Sequence, residues 1–189
     1  RSFGENPDNM SRKARLYAQG LEDEGIMAVG KHFPGHGDTH EDSHFTLPSV
    51  LRNRAQLDSC ELSAFSRYIN AGFSGLMVGH LFVPALDTTS DRPSSLSPDI
   101  VTGLLQEEMG FEGLVFTDAL EMKGAGSKTP ALDALLAGND ILLKPLKPKE
   151  QFEQIVKSYN EGTLSQEIID RHCRKVLKYK YILGLDTCR

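Results

Sequence analysis

The sequence predicts an α/β fold on a parallel sheet, and more narrowly four strands forming the C-terminal half of a (β/α)8 TIM-type barrel. Three observations predict it. Four short apolar runs punctuate the chain: Ile26-Met-Ala-Val29, Gly75-Leu-Met-Val-Gly79, Gly113-Leu-Val-Phe-Thr117 and Asp140-Ile-Leu-Leu143. They do not alternate polar with apolar, as strands covered on both faces do not. Helical spacing falls between them, which implies parallel pairing through crossover helices. Each run is followed by a polar or ionisable residue: Lys31-His32, His80, Asp118 and Lys144. Side chains at the C-terminal ends of barrel strands share one mouth, where barrel enzymes keep their chemistry. A doubly wound sheet also satisfies the pattern, but no GxGxxG or Walker-type loop follows any run. Four strands fall short of the eight strands and about 250 residues of a whole barrel, so residues 1–189 are read as its second half.

The helices follow from local signals. Residues 8–24 have helical spacing. Residues 55–70 do too, ending at Ala71-Gly72. Ser97-Pro98-Asp99 offers an N-cap hydroxyl, a proline at the first helical position and a carboxylate in the first turn, with Gly110 as the stop. Residues 131–137 end at Gly138, residues 149–160 follow, and Ser165 opens a long helix to Ile182 before Gly184.

Composition excludes several classes. The 189 residues are 39% hydrophobic and 25% charged, ordinary for a globular chain with one core. The formal net charge is −5 and charges are interspersed, so no nucleic-acid footprint is present. Arg171, Arg174, Lys175, Lys178 and Lys180 read as the solvated face of the last helix. No run of about 18 apolar residues exists, so no membrane-spanning helix is expected. There is no signal-peptide pattern, and the compartment stays open between cytoplasm and periplasm or exterior. Cys60, Cys173 and Cys188 are too far apart for a zinc motif or a disulfide framework.

The densest chemistry lies in Lys31-His-Phe-Pro-Gly-His-Gly-Asp-Thr-His-Glu-Asp-Ser-His44. Its histidines at 32, 36, 40 and 44 would stack on a helix, but Pro34, Gly35 and Gly37 argue against one. Loop ligands for a metal are the lesser alternative to catalysis. His36 and His40 also fit a plain structural loop.

Lys31-His-Phe-Pro-Gly-His-Gly37 followed by Asp42-Ser-His44 is similar to the signature of glycoside hydrolase family 3, in its bacterial β-N-acetylglucosaminidase branch. Arg1-Ser-Phe-Gly4, Phe116-Thr-Asp-Ala-Leu-Glu-Met-Lys-Gly124 and Ala137-Gly-Asn-Asp-Ile-Leu-Leu143 resemble further elements of that family, in the same order. The resemblance implies Asp118 as a nucleophile that forms a covalent glycosyl-enzyme. It implies His44 as acid/base, Asp42 as its orienting carboxylate, and Arg1, Lys31 and His32 as hydrogen-bonding partners of the terminal sugar. The implied substrate carries a terminal, non-reducing β-N-acetylglucosamine, as in cell-wall muropeptides, with no metal or organic cofactor. The implied partner is the N-terminal half of the barrel.

The chemistry is coherent on its own terms. Retaining glycosidases pair a nucleophilic carboxylate with an acid/base. A histidine titrates near the operating pH, and a carboxylate two residues away can fix its tautomer. Cationic Lys31 and Arg1 would help keep Asp118 ionised. A histidine acid/base carries no negative charge to repel an anion, so phosphate is a conceivable acceptor beside water. Against this stand blander readings. Asp118 could N-cap the next helix with Glu121 as capping-box partner, or Glu121 could be the second carboxyl. The segment between Gly124 and Ala131 is short for the family. A β-glucosidase of the same family, or a chain that only binds saccharide, are the rival functions.

Overall fold

The computed structural model describes residues 3–4, 6–37, 47–89 and 91–185. Helix α1 (Pro7–Asp23) starts where the Asn6 side chain accepts the Asn9 N–H at 3.0 Å. Strand β1 (Val29–Phe33) follows, then α2 (Arg54–Ser59), α3 (Glu61–Asn70) and β2 (Gly75–Val78). A helix over Asp99–Glu108 leads to β3 (Leu114–Thr117). Helices α4 (Pro130–Ala137), α5 (Pro148–Asn160) and α6 (Gln166–Ile182) complete the chain.

The sheet is parallel with order β1-β2-β3, in register Val29↔Gly75 and Gly75↔Leu114. Its centre is closed on both faces: Leu76, Val78 and Val115 are fully buried, packed with Leu57, Ile100, Val101 and Leu105. That is why β2 and β3 read as continuous apolar runs. A second core of Leu96, Leu120, Ala125, Ala131 and Ala134 lies under α4. Glu22 ties α1 to the sheet, its carboxylate accepting from Ala28 N (3.3 Å) and Ser74 N (2.9 Å).

The structure corrects three expectations. The first strand lies over Val29–Phe33, not 26–29, so Lys31 and His32 belong to the strand rather than follow it. Ile26 is exposed, and pairing with β2 begins only at Val29. The helix expected over residues 55–70 is two helices. An Asn53–Gln56 capping box starts the first, and Cys60, at φ −122° and ψ −81°, breaks the chain between them. Every residue there tolerates a helix, so propensity gives no sign of the break.

The fourth expected strand is absent among the described residues: one parallel bridge, Phe116↔Ile141, stands in its place. The segment does run beside β3, but side chains take over its ladder. Ile141 N donates to Val115 O (3.0 Å) and Thr117 N to Ile141 O (3.0 Å). On either side of them, Val115 N donates to the Asp140 carboxylate (2.9 Å) and Leu143 N to the Thr117 hydroxyl (2.9 Å). Backbone groups stay satisfied without a regular strand.

The helix stops are as expected. Gly110, Gly138 and Gly184 all have positive φ. At Gly138 (φ 110°) a Cβ would also sit 2.5 Å from Thr102 Oγ1. Gly138→Ala should therefore lower stability by at least about 1–2 kcal/mol, read as a reduced denaturant midpoint at unchanged m-value. Ser97 caps its helix, accepting from Ile100 N at 3.3 Å while donating to the buried Asp87 carboxylate at 2.6 Å. That helix closes wide, Met109 N reaching Leu104 O five residues back. No helix among the described residues is long and apolar enough to cross a membrane.

Candidate active site

Parallel strands deliver their last residues to one edge of the sheet. β1 brings His32 there, His80 is the second residue after β2, and Asp118 is the first after β3. His32 Nε2 stands 3.5 Å from Asp118 Oδ2. The two side chains keep 24% and 15% of their exposure, so the pair is enclosed but open to a ligand. Asp118 is held by its own backbone: its N–H donates to Val78 O (2.9 Å), and its Oδ1 accepts the Ala119 N–H (2.8 Å). Oδ2 is left facing His32.

No helix opens after Asp118. A turn leads to a single 3-10 turn at Lys123–Ala125, and Asp118 accepts only from the adjacent residue rather than two or three ahead. The N-cap reading of Asp118 therefore fails. Glu121, the other carboxyl considered, pairs with Lys144 at 2.5 Å, both side chains exposed to solvent.

Burial pushes the His32 imidazole down, from an ordinary 6.5 to about 4. The Asp118 carboxylate pulls the other way, while Lys31, His36 and His80 add to the depression. The His36 ring meets it edge-on at 5.5 Å. His32 is therefore neutral at physiological pH and suits hydrogen bonding better than proton donation to a leaving group. Its folded pKa lies below the unfolded one, so the unfolded chain takes up the proton first. Stability should be level above pH 6.5 and decline as pH falls from there toward 4. A His32 ring-proton NMR titration with its midpoint well below 6.5 checks the assignment; a midpoint near 6.5 would contradict it.

His80 is fully buried. Its Nε2 lies 3.1 Å from the Ala119 carbonyl and its Nδ1 2.6 Å from Ser95 Oγ. A carbonyl can only accept, so Nε2 carries the proton and the Ser95 hydroxyl donates to Nδ1. Burial holds the ring below its usual pKa, against the opposing pull of the Ala119 carbonyl and Asp118. Sequence reasoning placed His80 at a strand end but gave it no role, and overlooked Ser95 altogether.

Of the residues expected at the site, His32 and Asp118 are brought together. Lys31 lies in the same strand with an exposed side chain, its charge acting on His32. Arg1, Asp42 and His44 lie outside the described residues, as do His40 and Cys188. Cys60 and Cys173 carry free thiols. Among the described residues no three His, Cys, Asp or Glu side chains converge as a metal site.

The α/β domain thus holds a carboxylate facing an imidazole at one edge of a parallel sheet, the two carried by the strands on either side of β2. The chain belongs to glycosyl hydrolase family 3, matching the family's N terminal domain over residues 1–179. It is 34% identical over 203 residues to beta-hexosaminidase A of Pseudoalteromonas piscicida, covering 95% of this chain and 34% of that protein. It is 38% identical over 154 residues to a beta-hexosaminidase of Chromobacterium violaceum, covering 79% of this chain and 42% of that protein. A family 3 beta-N-acetylglucosaminidase from Paenibacillus sp. str. FPU-7 superposes with a TM-score of 0.93 at 34% identity. That match takes in 100% of this chain and 37% of the other. The chain thus spans well under half the length of these relatives.

Proposed function

We propose that this chain carries the nucleophile of a retaining β-N-acetylglucosaminidase, acting on terminal non-reducing β-N-acetylglucosamine such as that of peptidoglycan-derived muropeptides. The observation that carries the reading is Asp118: a carboxylate at a strand end, one oxygen fixed by Ala119 N–H and the other presented beside His32. The names of the relatives supply the sugar.

In the first step Asp118 Oδ2 attacks the anomeric carbon as the glycosidic C–O bond breaks, and His44 gives its proton to the departing oxygen. In the second, water attacks the same carbon, His44 takes the water's proton, and Asp118 is released. Asp42 orients the His44 imidazole throughout. Neutral His32, with Lys31 and Arg1, hydrogen-bonds sugar hydroxyls.

The barrel is completed by strands outside this chain, residues 1–189 forming its C-terminal half. Two features support that assembly. β1 is an edge strand of the described sheet, and apolar side chains lie open on several elements, with Leu51 keeping 80% of its exposure and Tyr17, Phe152 and Tyr181 well exposed.

The test is hydrolysis of a chromogenic N-acetyl-β-glucosaminide, beside the matching glucoside, with and without the completing strands. Selective turnover of the first by the completed barrel is expected. Turnover confined to the glucoside would move the reading to a β-glucosidase, and no turnover of either would sink the enzyme.

A further inference from the structure

We propose that His80 is a positioning residue for Asp118, acting through Ala119 and itself oriented by Ser95. The inference rests on the reading of Asp118 as nucleophile. The problem it answers is local. After β3 the chain leaves the sheet without entering a helix, so regular structure does not hold the peptide that follows Asp118. Asp118 Oδ1 nonetheless depends on the Ala119 N–H for its orientation.

The surroundings supply what the secondary structure does not. The Ala119–Leu120 peptide is held from both sides: its carbonyl accepts from His80 Nε2 (3.1 Å), and its N–H donates to Leu143 O (2.9 Å). The Ala119 carbonyl can only accept, which fixes the Nε2–H tautomer of His80, and the Ser95 hydroxyl then donates to Nδ1 at 2.6 Å and holds the ring in place. Ser95 is fixed in turn by Asn139, whose Nδ2 donates to Ser95 O and Ala134 O, both at 2.8 Å. Ser95, His80 and Asn139 are all completely buried. A continuous chain of hydrogen bonds therefore runs from the Ala137-Gly-Asn-Asp140 segment to the nucleophile. It accounts for two polar residues, His80 and Asn139, that substrate contact does not need.

A buried histidine with two partners is often no more than a satisfied core residue. What distinguishes this one is its second partner, the backbone of the residue that holds the nucleophile's oxygen. Misplacing a reacting group by a fraction of an ångström lowers the rate of attack more than it weakens binding.

The experiment compares the parent with Ser95→Ala, His80→Gln, His80→Phe and Asp118→Asn in the completed barrel, on an aryl N-acetyl-β-glucosaminide. Active sites are counted with a fluorinated glycosyl inhibitor that traps the covalent intermediate, so misfolded protein does not enter the rate. Ser95→Ala, which removes one hydroxyl, should lower kcat per active site by about 10–100-fold with KM within about twofold. His80→Gln, whose amide can donate to Ala119 O, should recover most of the kcat that His80→Phe loses. If His80→Phe does not fold, the other two variants decide. Parent kcat per site in Ser95→Ala and in His80→Gln and His80→Phe alike, beside a dead Asp118→Asn, would overturn the positioning role and leave the nucleophile standing. An Asp118→Asn variant that still turns over would remove both.

Discussion

Asp118→Asn should lower turnover of an aryl N-acetyl-β-glucosaminide by about 10⁴-fold or more while leaving the fold intact. The amide is nearly the same size, and its oxygen can still accept from Ala119 N–H at the 2.8 Å distance of Oδ1. What it cannot do is form a glycosyl ester at the atom 3.5 Å from His32 Nε2. The measurement is kcat at saturating substrate with the melting temperature recorded alongside. A second signature separates loss of the nucleophile from general damage. Mass spectrometry after the fluorinated inhibitor should show one added glycosyl group on the parent, within the peptide containing Asp118, and none on the variant. Fragmentation of that peptide placing the group on Glu121, three residues on, instead would reassign the nucleophile. The geometry speaks against that outcome, because Glu121 is occupied by Lys144 at 2.5 Å in solvent.

The same carboxylate shows how much could be read from the residues alone. Asp118 was legible because β3 is buried on both faces, so the polar residue ending its apolar run stands out. β2 and the helix stops at Gly110, Gly138 and Gly184 were legible for comparable reasons: burial and positive φ both select residue types. β1 was misplaced because its C-terminal half opens with two polar, ionisable residues. Lys31 and His32 break the apolar pattern, yet Lys31 still pairs with Met77 and Phe33 with Val78, the register shifting at His32 between them. The fourth strand was over-read for the opposite reason. Ile141 and Leu142 look like a strand, yet Asp140 and Thr117 side chains supply bonds that a strand would take from backbone. The link between His80, Ser95 and Asn139 carried no local signal, since it is made by contacts across 15 to 44 residues of sequence.

Asp140→Ala should be the most destabilising single substitution away from the site, at about 3–5 kcal/mol, because it strands buried partners. The Asp140 side chain keeps 1% of its exposure and meets three donors. Val115 N donates to Oδ2 at 2.9 Å, Lys175 Nζ reaches the same oxygen at 2.8 Å, and His172 Nδ1 lies 2.8 Å from Oδ1. This one side chain therefore joins β3 to α6 and stands in for a missing strand bond. Burial alone would raise the carboxyl's pKa, but His172, Lys175 and Val115 N–H together bring it below the usual carboxylate value. The sign follows: its contribution is complete above the unfolded value near 4 and is lost as pH falls through the lower folded value. Asp140→Ala should thus lower the melting temperature by roughly 10 °C at pH 7. The difference from the parent should shrink below pH 4. Lys175→Met should cost less, because Asp140 then keeps His172 and Val115 and the lysine is the most solvent-exposed of the partners. If the lysine variant proves the more damaging, the charge pair rather than the backbone bond holds α6 to the sheet. Equal melting temperatures for Asp140→Ala and the parent at pH 7 would mean that the cluster contributes nothing to the fold.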